Sequence, residues 1–295
     1  MNKLNQILSA PAALKSVTAF MDKEFGQHTL LKFGSGNSKL APNIFTFSLP
    51  AGYSCPGAKE CLSKATLQPD GRYKLVDGKH TKIRCFTAID EALKPAVRKA
   101  RWHNFDALRG KTKEQMVSLI ESSLPGVRWK YIVRIHVSGD FFNQAYFDAW
   151  LTVAKNNPQT VFYAYTKELP SWVARRTEIP SNLNLVASYG GKHDWMIDAY
   201  KLRSAKIVLS EKEAEVLNLE IDHDDSNAYE GKSDFALLLH GTQPAGSPAA
   251  AAWQQLKNVG KGGYHNHKRG RGWGGKNYVA QSVKKLVGVP LPASA

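Results

Sequence analysis

The chain alternates between short apolar runs and longer amphipathic stretches. Runs such as IFTFSL, YIVRIHV and VFYAY predict buried β-strands, and the stretch QAYFDAWLTVAKNN has the apolar spacing of a helix. Counting IFTFSL, six such strands are expected, and most alternate with helices. Alternation of this kind is typical of βαβ units. We therefore predict an α/β fold, built as a partial (β/α)6-type barrel or as an open parallel sheet.

The same pattern divides the chain into three segments. Residues 1–40 have the apolar spacing of a helical lead-in, residues 41–259 form the α/β core, and residues 260–295 form a basic, glycine-rich tail. Within the core, the turn signals PDGR and VDGK predict a small β-hairpin between the second and third cysteine. Thr112, with Gln115 three residues later, predicts a capping box at a helix start.

Composition narrows the class of protein. The 295 residues carry a formal net charge of +15 and are 43% hydrophobic, as expected of a globular chain with surplus positive charge. We find neither a long apolar run nor a secretory leader, so we expect a cytoplasmic protein without a membrane partner. An odd count of three cysteines in that compartment argues against a disulfide framework.

The cysteines carry the most specific chemistry in the sequence. Cys55 and Cys61 lie in the loop after the first predicted strand, and Cys85 follows the hairpin. Three thiolates without a fourth suit a [4Fe-4S] cluster with one open iron, or a zinc site completed by His80 or His103. Buried thiols without metal are the third interpretation. Five and then 23 residues separate the cysteines, which is neither a standard zinc knuckle nor a ferredoxin spacing.

The carboxyl ends of the predicted strands carry the other candidate site residues, because parallel α/β folds bind ligands there. Asp140 ends the HVSGD strand and is either a ligand-binding carboxylate or a helix N-cap. Tyr163 and Tyr165 either stack on a flat ligand or are ordinary strand aromatics, and Lys167 reaches the same rim. Asp140 and Lys167 are the candidate catalytic residues.

The tail has the composition of a nucleic-acid contact. In proteins that bind single-stranded nucleic acid, cationic side chains contact phosphates and aromatic rings stack on bases, and the tail contains both residue types. A solvated basic tail without a partner is the alternative interpretation. The candidate contact residues are Lys268, Arg269, Arg271, Trp273 and Lys276.

Several long motifs resemble the phage gene product 88 family. The likeness covers about residues 30 to 260 and rests on FSLPAGYSCPGAKEC, RWHNFDAL, RIHVSGDFFNQAYFDAW, ASYGGKHD and LLLHGTQPAGS. It implies a protein of phage or mobile-element type, located in the host cytoplasm if phage-encoded. It implies no particular activity.

A more distant likeness is to radical S-adenosylmethionine enzymes, which hold a [4Fe-4S] cluster in a partial (β/α)6 barrel. This resemblance implies that Cys55, Cys61 and Cys85 hold the cluster. It also implies that Ser138, Gly139 and Asp140 face the amine of S-adenosylmethionine, and that Tyr163 and Tyr165 or Ser188 line its pocket. That superfamily usually spaces its cysteines as CxxxCxxC, and this chain does not.

Three hypotheses about function follow. The first is an iron–sulfur α/β protein that modifies a nucleic acid or a nucleotide by radical chemistry with S-adenosylmethionine. The second is a nucleic-acid-binding replication or accessory protein in which the cysteines hold structural zinc. The third is a metal-dependent nuclease, and its candidate carboxylates are Asp140, Asp222, Asp224 and Asp225.

Overall fold

The computed structural model describes residues 30–36, 40–127, 129–231 and 233–259. Most of the predicted helical lead-in and the whole of the predicted basic tail, including Lys268, Arg269, Arg271, Trp273 and Lys276, lie outside these ranges. The predicted α/β core, in contrast, is described almost completely.

Nine strands and nine helices are described in these ranges. The strands are β1 (Ile44–Ser48), β2 (Ser63–Leu67), β3 (Tyr73–Asp77), β4 (Ile132–Ser138), β5 (Val161–Thr166), β6 (Leu183–Ser188), β7 (Ser204–Val208), β8 (Glu220–Ile221) and β9 (Phe235–Leu238). The helices are α1 (Phe86–Leu93), α2 (Pro95–Leu108), α3 (Lys113–Ser123), α4 (Gln144–Asn156), α5 (Leu169–Ala174), α6 (Trp195–Tyr200), α7 (Glu211–Val216), α8 (Ser226–Glu230) and α9 (Pro248–Asn258).

Seven strands form one parallel sheet in the order β1-β4-β5-β6-β7-β9-β8. The predicted α/β class is therefore confirmed, and all six predicted strands belong to this sheet. The seventh, β8, has two residues and was not predicted. Within the described residues, the edge strands β1 and β8 do not pair with each other, so the sheet is open and no closed barrel forms.

Alternate residues of the strands pack on opposite faces of the sheet, because successive side chains of a strand point in opposite directions. In β5, Phe162 and Ala164 join a large apolar cluster that includes buried side chains of helices α2, α3, α4 and α5. Tyr163 joins a smaller cluster on the other face, together with Ala228 and Tyr229 of α8. Both faces of the sheet are thus covered, as is usual for parallel sheets.

The predicted β-hairpin and the predicted capping box are both confirmed. Strands β2 and β3 form the antiparallel hairpin between Cys61 and Cys85, and the turn contains Gly71 at a φ of 78°. Thr112 and Gln115 form the capping box at the start of α3, with both reciprocal hydrogen bonds present. No described helix combines the length and apolar character that crossing a bilayer requires.

Candidate functional site

The three cysteines lie beyond the carboxyl end of strand β1. Cys55 and Cys61 are in the loop that follows β1, and Cys85 directly precedes helix α1. Each is partly buried. This is the edge where parallel α/β folds bind their ligands, as the sequence predicted.

The β2–β3 hairpin brings the third cysteine back to the second. At its base, the amide of Gly78 donates to the carbonyl of Leu62 at 2.6 Å. The amides of Lys82 and Ile83 both donate to the carbonyl of Glu60, at 2.8 and 3.1 Å. The residues on either side of Cys61 therefore bind the backbone of the segment that leads from β3 to Cys85.

The cysteine loop is also fixed to the ends of strands β5 and β6. Ala58 and Gly191 form an antiparallel bridge, and the amide of Lys192 donates to the carbonyl of Gly57 at 2.8 Å. A Cβ atom on Gly57 would lie 2.2 Å from the carbonyl oxygen of Lys167. Gly190 and Gly191 of the SYGGKHD motif thus lie on the segment that fixes the backbone of this loop, and we call this segment the glycine clamp. Glycine at position 57 permits the close approach.

The thiols share one electrostatic environment. Burial raises the pKa of Cys55 well above its usual range, and negative charge on Asp140, Cys85 and Cys61 raises it further. Burial also raises the pKa of Cys61, an effect that the ammonium of Lys167 opposes and that Cys85 and Asp140 reinforce. Electrostatic interactions of this kind act between groups that lie near one another. The three thiols, Asp140 and Lys167 therefore form one group, which we call the thiol site.

The thiol site is not a preformed ion cage. Within the ranges that the structure describes, no three His, Cys, Asp or Glu side chains are grouped so that they could hold a metal ion. The two histidines considered as a fourth zinc ligand lie elsewhere: His103 Nε2 is 3.0 Å from the carbonyl oxygen of Leu30, and His80 is exposed in the turn after β3.

Strand β4 reaches the thiol site through an irregular turn. His136 has a φ of 66°, and the pairing of β4 with β1 shifts register nearby. Gly139 has a φ of 83°, and a Cβ atom there would lie 2.5 Å from Ser54 Oγ and 2.6 Å from Leu49 Cβ. Only glycine fits this position, which lets the SGD turn pack directly against the loop that carries Cys55.

The carboxylate of Asp140 is occupied by hydrogen bonds within the protein. Its Oδ1 accepts from the amide of Phe141 at 2.8 Å and from Thr166 Oγ1 at 2.6 Å, and its Oδ2 accepts from the amide of Lys167 at 2.8 Å. Burial nevertheless raises the pKa of this carboxyl group. The N-cap of α4 is Asn143 rather than Asp140. Asp140 therefore joins the ends of β4 and β5.

Lys167 Nζ is similarly engaged. It donates to the carbonyls of Ser188 and Tyr189, at 3.1 and 2.7 Å, and to Ser188 Oγ at 2.5 Å. These contacts join the ends of β5 and β6 beneath the glycine clamp. Lys167 and Ser188, predicted as site residues, are thus adjacent, and the ammonium charge of Lys167 acts on Cys61.

A buried polar network that the sequence analysis missed links Cys85 to strand β4. Cys85 Sγ lies 3.0 Å from Thr87 Oγ1, which accepts a hydrogen bond from Ser138 Oγ at 3.0 Å. Ser138 Oγ also lies 3.3 Å from Glu91 Oε1. Two predicted site residues, Cys85 and Ser138, therefore belong to this network.

Glu91 is the centre of the network. Its Oε1 accepts from the amide of Ala51 and from Arg101 NH1, both at 2.8 Å, while its Oε2 is buried without a hydrogen-bond partner. Burial raises the pKa of Glu91, and the Arg101 guanidinium opposes this rise. The one sequence signal was a Glu in the helix after Cys85, with an Arg ten residues later.

Tyr163 and Tyr165 face away from Asp140, on the opposite side of β5 from Thr166. Tyr163 OH donates to Asp225 Oδ2 at 3.0 Å. Tyr165 contacts the ring of Phe235, and the guanidinium of Arg134 lies 5.2 Å from the centroid of its ring. The two tyrosines therefore belong to a separate polar cluster inside the second face of the sheet.

The four proposed nuclease carboxylates are not brought together. Asp140 accepts a hydrogen bond from Thr166 at the carboxyl end of β5. Asp225 is buried in an ion pair with Arg134 and accepts from Tyr163, which lies three residues earlier on β5 and on its opposite face. Asp222 and Asp224 lie on the loop that contains Asp225. The geometry therefore does not place Asp140 with the other three carboxylates at a single metal site.

Comparisons with known proteins identify the family of this chain. The chain is 26% identical to the Gene 88 protein of Mycobacterium phage L5 over 166 residues, which cover 53% of this chain and 60% of that protein. The same values hold for the Gene 88 protein of Mycobacterium phage D29, so the chain spans about 60% of the length of these curated relatives. No solved structure matches. The model of the Gene product 88 family matches residues 23–257, the stretch that contains the sheet, the hairpin and all three cysteines, and the chain belongs to this family.

Proposed function

We propose that this protein binds an iron–sulfur cluster through Cys55, Cys61 and Cys85. The observation that supports the proposal is that all three cysteines lie at the carboxyl edge of the parallel sheet, near enough for their charges to interact. They come from two segments, the loop after β1 and the residue before α1, and the bonds at the hairpin base hold these segments together.

The chemistry of the donor set fits this group. Thiolate sulfur is a soft ligand that suits iron, and three cysteines leave one iron of a [4Fe-4S] cluster open. The amide of Gly52 donates to Cys55 Sγ at 3.3 Å, a contact that also stabilises a thiolate. Since metal binding displaces protons from thiols and is coupled to local folding, loading would draw the three sulfurs into a tighter group.

An open iron at this edge would be available for a small ligand such as S-adenosylmethionine, and the cluster would supply electrons to it. The residues of this chain have supporting roles. Asp140 and Lys167 fix the ends of β4, β5 and β6 around the thiols and are positioning residues. Ser138 and Gly139 fix the turn that packs on the Cys55 loop. Tyr163 and Tyr165 are too deep in the second face to serve as the first contacts of such a ligand.

Metal and sulfide analysis tests the proposal. Anaerobically purified full-length protein should be brown and contain about four irons and four sulfides per chain. The variants Cys55→Ser, Cys61→Ser and Cys85→Ser should each lose most of the iron. Thr87→Val is the matched control, because it removes the hydroxyl beside Cys85 while it keeps all three thiols. Zinc without sulfide would instead identify a structural zinc site and overturn the iron–sulfur proposal.

A further inference from the structure

Two exposed lysines lie on either side of the contact between the cysteine loop and the SYGGKHD motif. Around the antiparallel bridge of Ala58 and Gly191, Lys59 lies opposite Gly190 and Lys192 lies opposite Gly57. Lys59 and Lys192 are therefore diagonal neighbours on one face of this short ladder, a relation that places Cβ atoms about 7–8 Å apart. Ala58 and Gly191, the two bridge residues between them, are buried.

Neither lysine of this pair is held in a salt bridge within the described part of the chain. Three acidic groups lie nearby. Glu60 pairs with Lys82, and Asp194 accepts from the amides of Gly190 and Gly191. Glu168 is half-buried, accepts from Ser171 Oγ, and interacts with Lys192 electrostatically without forming a salt bridge. Two cations therefore remain available to an anionic ligand.

An aromatic ring is exposed on the same segment as Lys192. Trp195 begins α6, three residues after Lys192, and is 59% exposed. The next residue, Met196, packs against the apolar core, and Asp194 is bonded to the glycine clamp. The ring is thus held out to solvent on a short segment that is anchored on both sides.

We propose that Lys59, Lys192 and Trp195, here called the rim patch, bind a single-stranded nucleic acid. Exposed cations beside a stackable ring are the features of single-strand binding surfaces, in which bases stack on aromatic side chains and lysines contact phosphates. The net charge of +15 favours a polyanionic partner over a neutral one. Duplex bases are already stacked on each other, so the ring specifically favours an unpaired strand.

The position of the rim patch suggests a role for the bound nucleic acid as a substrate. Lys59 lies within the cysteine loop, between Cys55 and Cys61, and Lys192 lies on the segment bonded to that loop. A nucleic acid bound to both lysines would therefore lie next to the thiol site. That the nucleic acid is the substrate of the thiol site rests on the proposed cluster function. Binding itself requires no metal.

Fluorescence anisotropy with labelled oligothymidylate tests the proposal on the full-length chain. Each lost phosphate contact lowers the slope of log K against log salt by about 0.7, so Lys59→Ala with Lys192→Ala should lower it by about 1.4. Trp195→Ala should weaken binding about 5- to 150-fold, the usual effect of losing one stacked base. The basic tail is present in every variant, so its contribution is constant.

Matched controls lie at the other end of the sheet. Lys155→Ala removes one exposed charge near the end of α4, and Trp129→Ala removes a ring that is 62% exposed just before β4. Both should bind like the unmodified chain. Equal losses in the control and rim variants would overturn the proposal, and so would unchanged binding by Trp195→Ala, which would indicate a general polyanion surface. Iron content is measured on the same variants, so failure of the rim patch is distinguishable from failure of the cluster proposal.

Discussion

His136 should make the protein less stable in acid. Its side chain is 3% exposed among Phe47, Phe141 and Tyr146, and burial lowers its pKa from 6.5 to about 3. Because the folded pKa lies below the unfolded one, the unfolded chain binds the additional proton between these values. The stabilising effect of the neutral imidazole is therefore complete above about pH 6.5 and is lost as the pH falls towards 3.

The size of this effect follows from the two pKa values. Between pH 7.5 and pH 4.0, proton uptake by the unfolded imidazole should reduce the free energy of unfolding by about 3 kcal/mol. His136→Phe keeps an aromatic ring but removes the titrating group. Other groups titrate over the same range, so the informative quantity is the difference between the two proteins.

Urea denaturation at a series of pH values measures this difference. At pH 7.5 the variant should be less stable by about 1–3 kcal/mol, because Tyr146 OH loses its 3.1 Å contact with His136 Nε2. At pH 4.0 the balance should have moved by about 3 kcal/mol in favour of the variant. Phe141→Leu is the control, since it alters the same cluster without a titrating group. A constant difference between His136→Phe and the unmodified chain across this range would refute the reasoning.

Three further substitutions test the contacts around the thiol site, each by urea denaturation at neutral pH. Gly139→Ala should destabilise the fold by about 2–5 kcal/mol, from the φ of 83° and the close Ser54 and Leu49 atoms. Gly71→Ala, at a φ of 78° with open space, should cost only about 1–2 kcal/mol, and an equal loss at both would contradict the packing argument. Glu91→Ala leaves the buried guanidinium of Arg101 without its partner and should cost about 3–5 kcal/mol, whereas Asp106→Ala, in an exposed pair, should cost less than about 1 kcal/mol. Lys167→Met should cost about 1–3 kcal/mol because it removes three hydrogen bonds at the ends of β5 and β6, and unchanged stability would show that Lys167 is not a positioning residue.

The sequence predicted those parts of the fold that depend on local patterns. The strands of the sheet are continuous apolar runs, and parallel strands that are buried on both faces have this composition. The hairpin and the capping box follow from short turn and cap motifs. Strand β8 was missed because two residues, Glu220 and Ile221, provide no periodicity.

The contacts of the site were harder to predict because they join distant segments. Asp140 was correctly expected at a strand end, but the occupation of its carboxylate depends on where β5 ends relative to β4. Glu91 lies in a short helix whose sequence does not reveal that this position faces Ser138 and Ala51. Likewise, nothing in the local sequence of His136 indicates a positive φ, which is unusual for a residue other than glycine.

The unusual spacing of the cysteines has a structural explanation in the β2–β3 hairpin. Of the 23 residues between Cys61 and Cys85, most belong to a hairpin whose base is closed by bonds to Glu60 and Leu62, the two neighbours of Cys61. For the thiol site, the connection is therefore effectively short, because the chain leaves and returns at the same place. Counting the residues between cysteines, as in a comparison with the CxxxCxxC motif, therefore overstates the separation of Cys61 and Cys85 in space. Spacing in the sequence therefore does not weigh against a shared ligand, and the metal content of the three Cys→Ser variants is the direct measure.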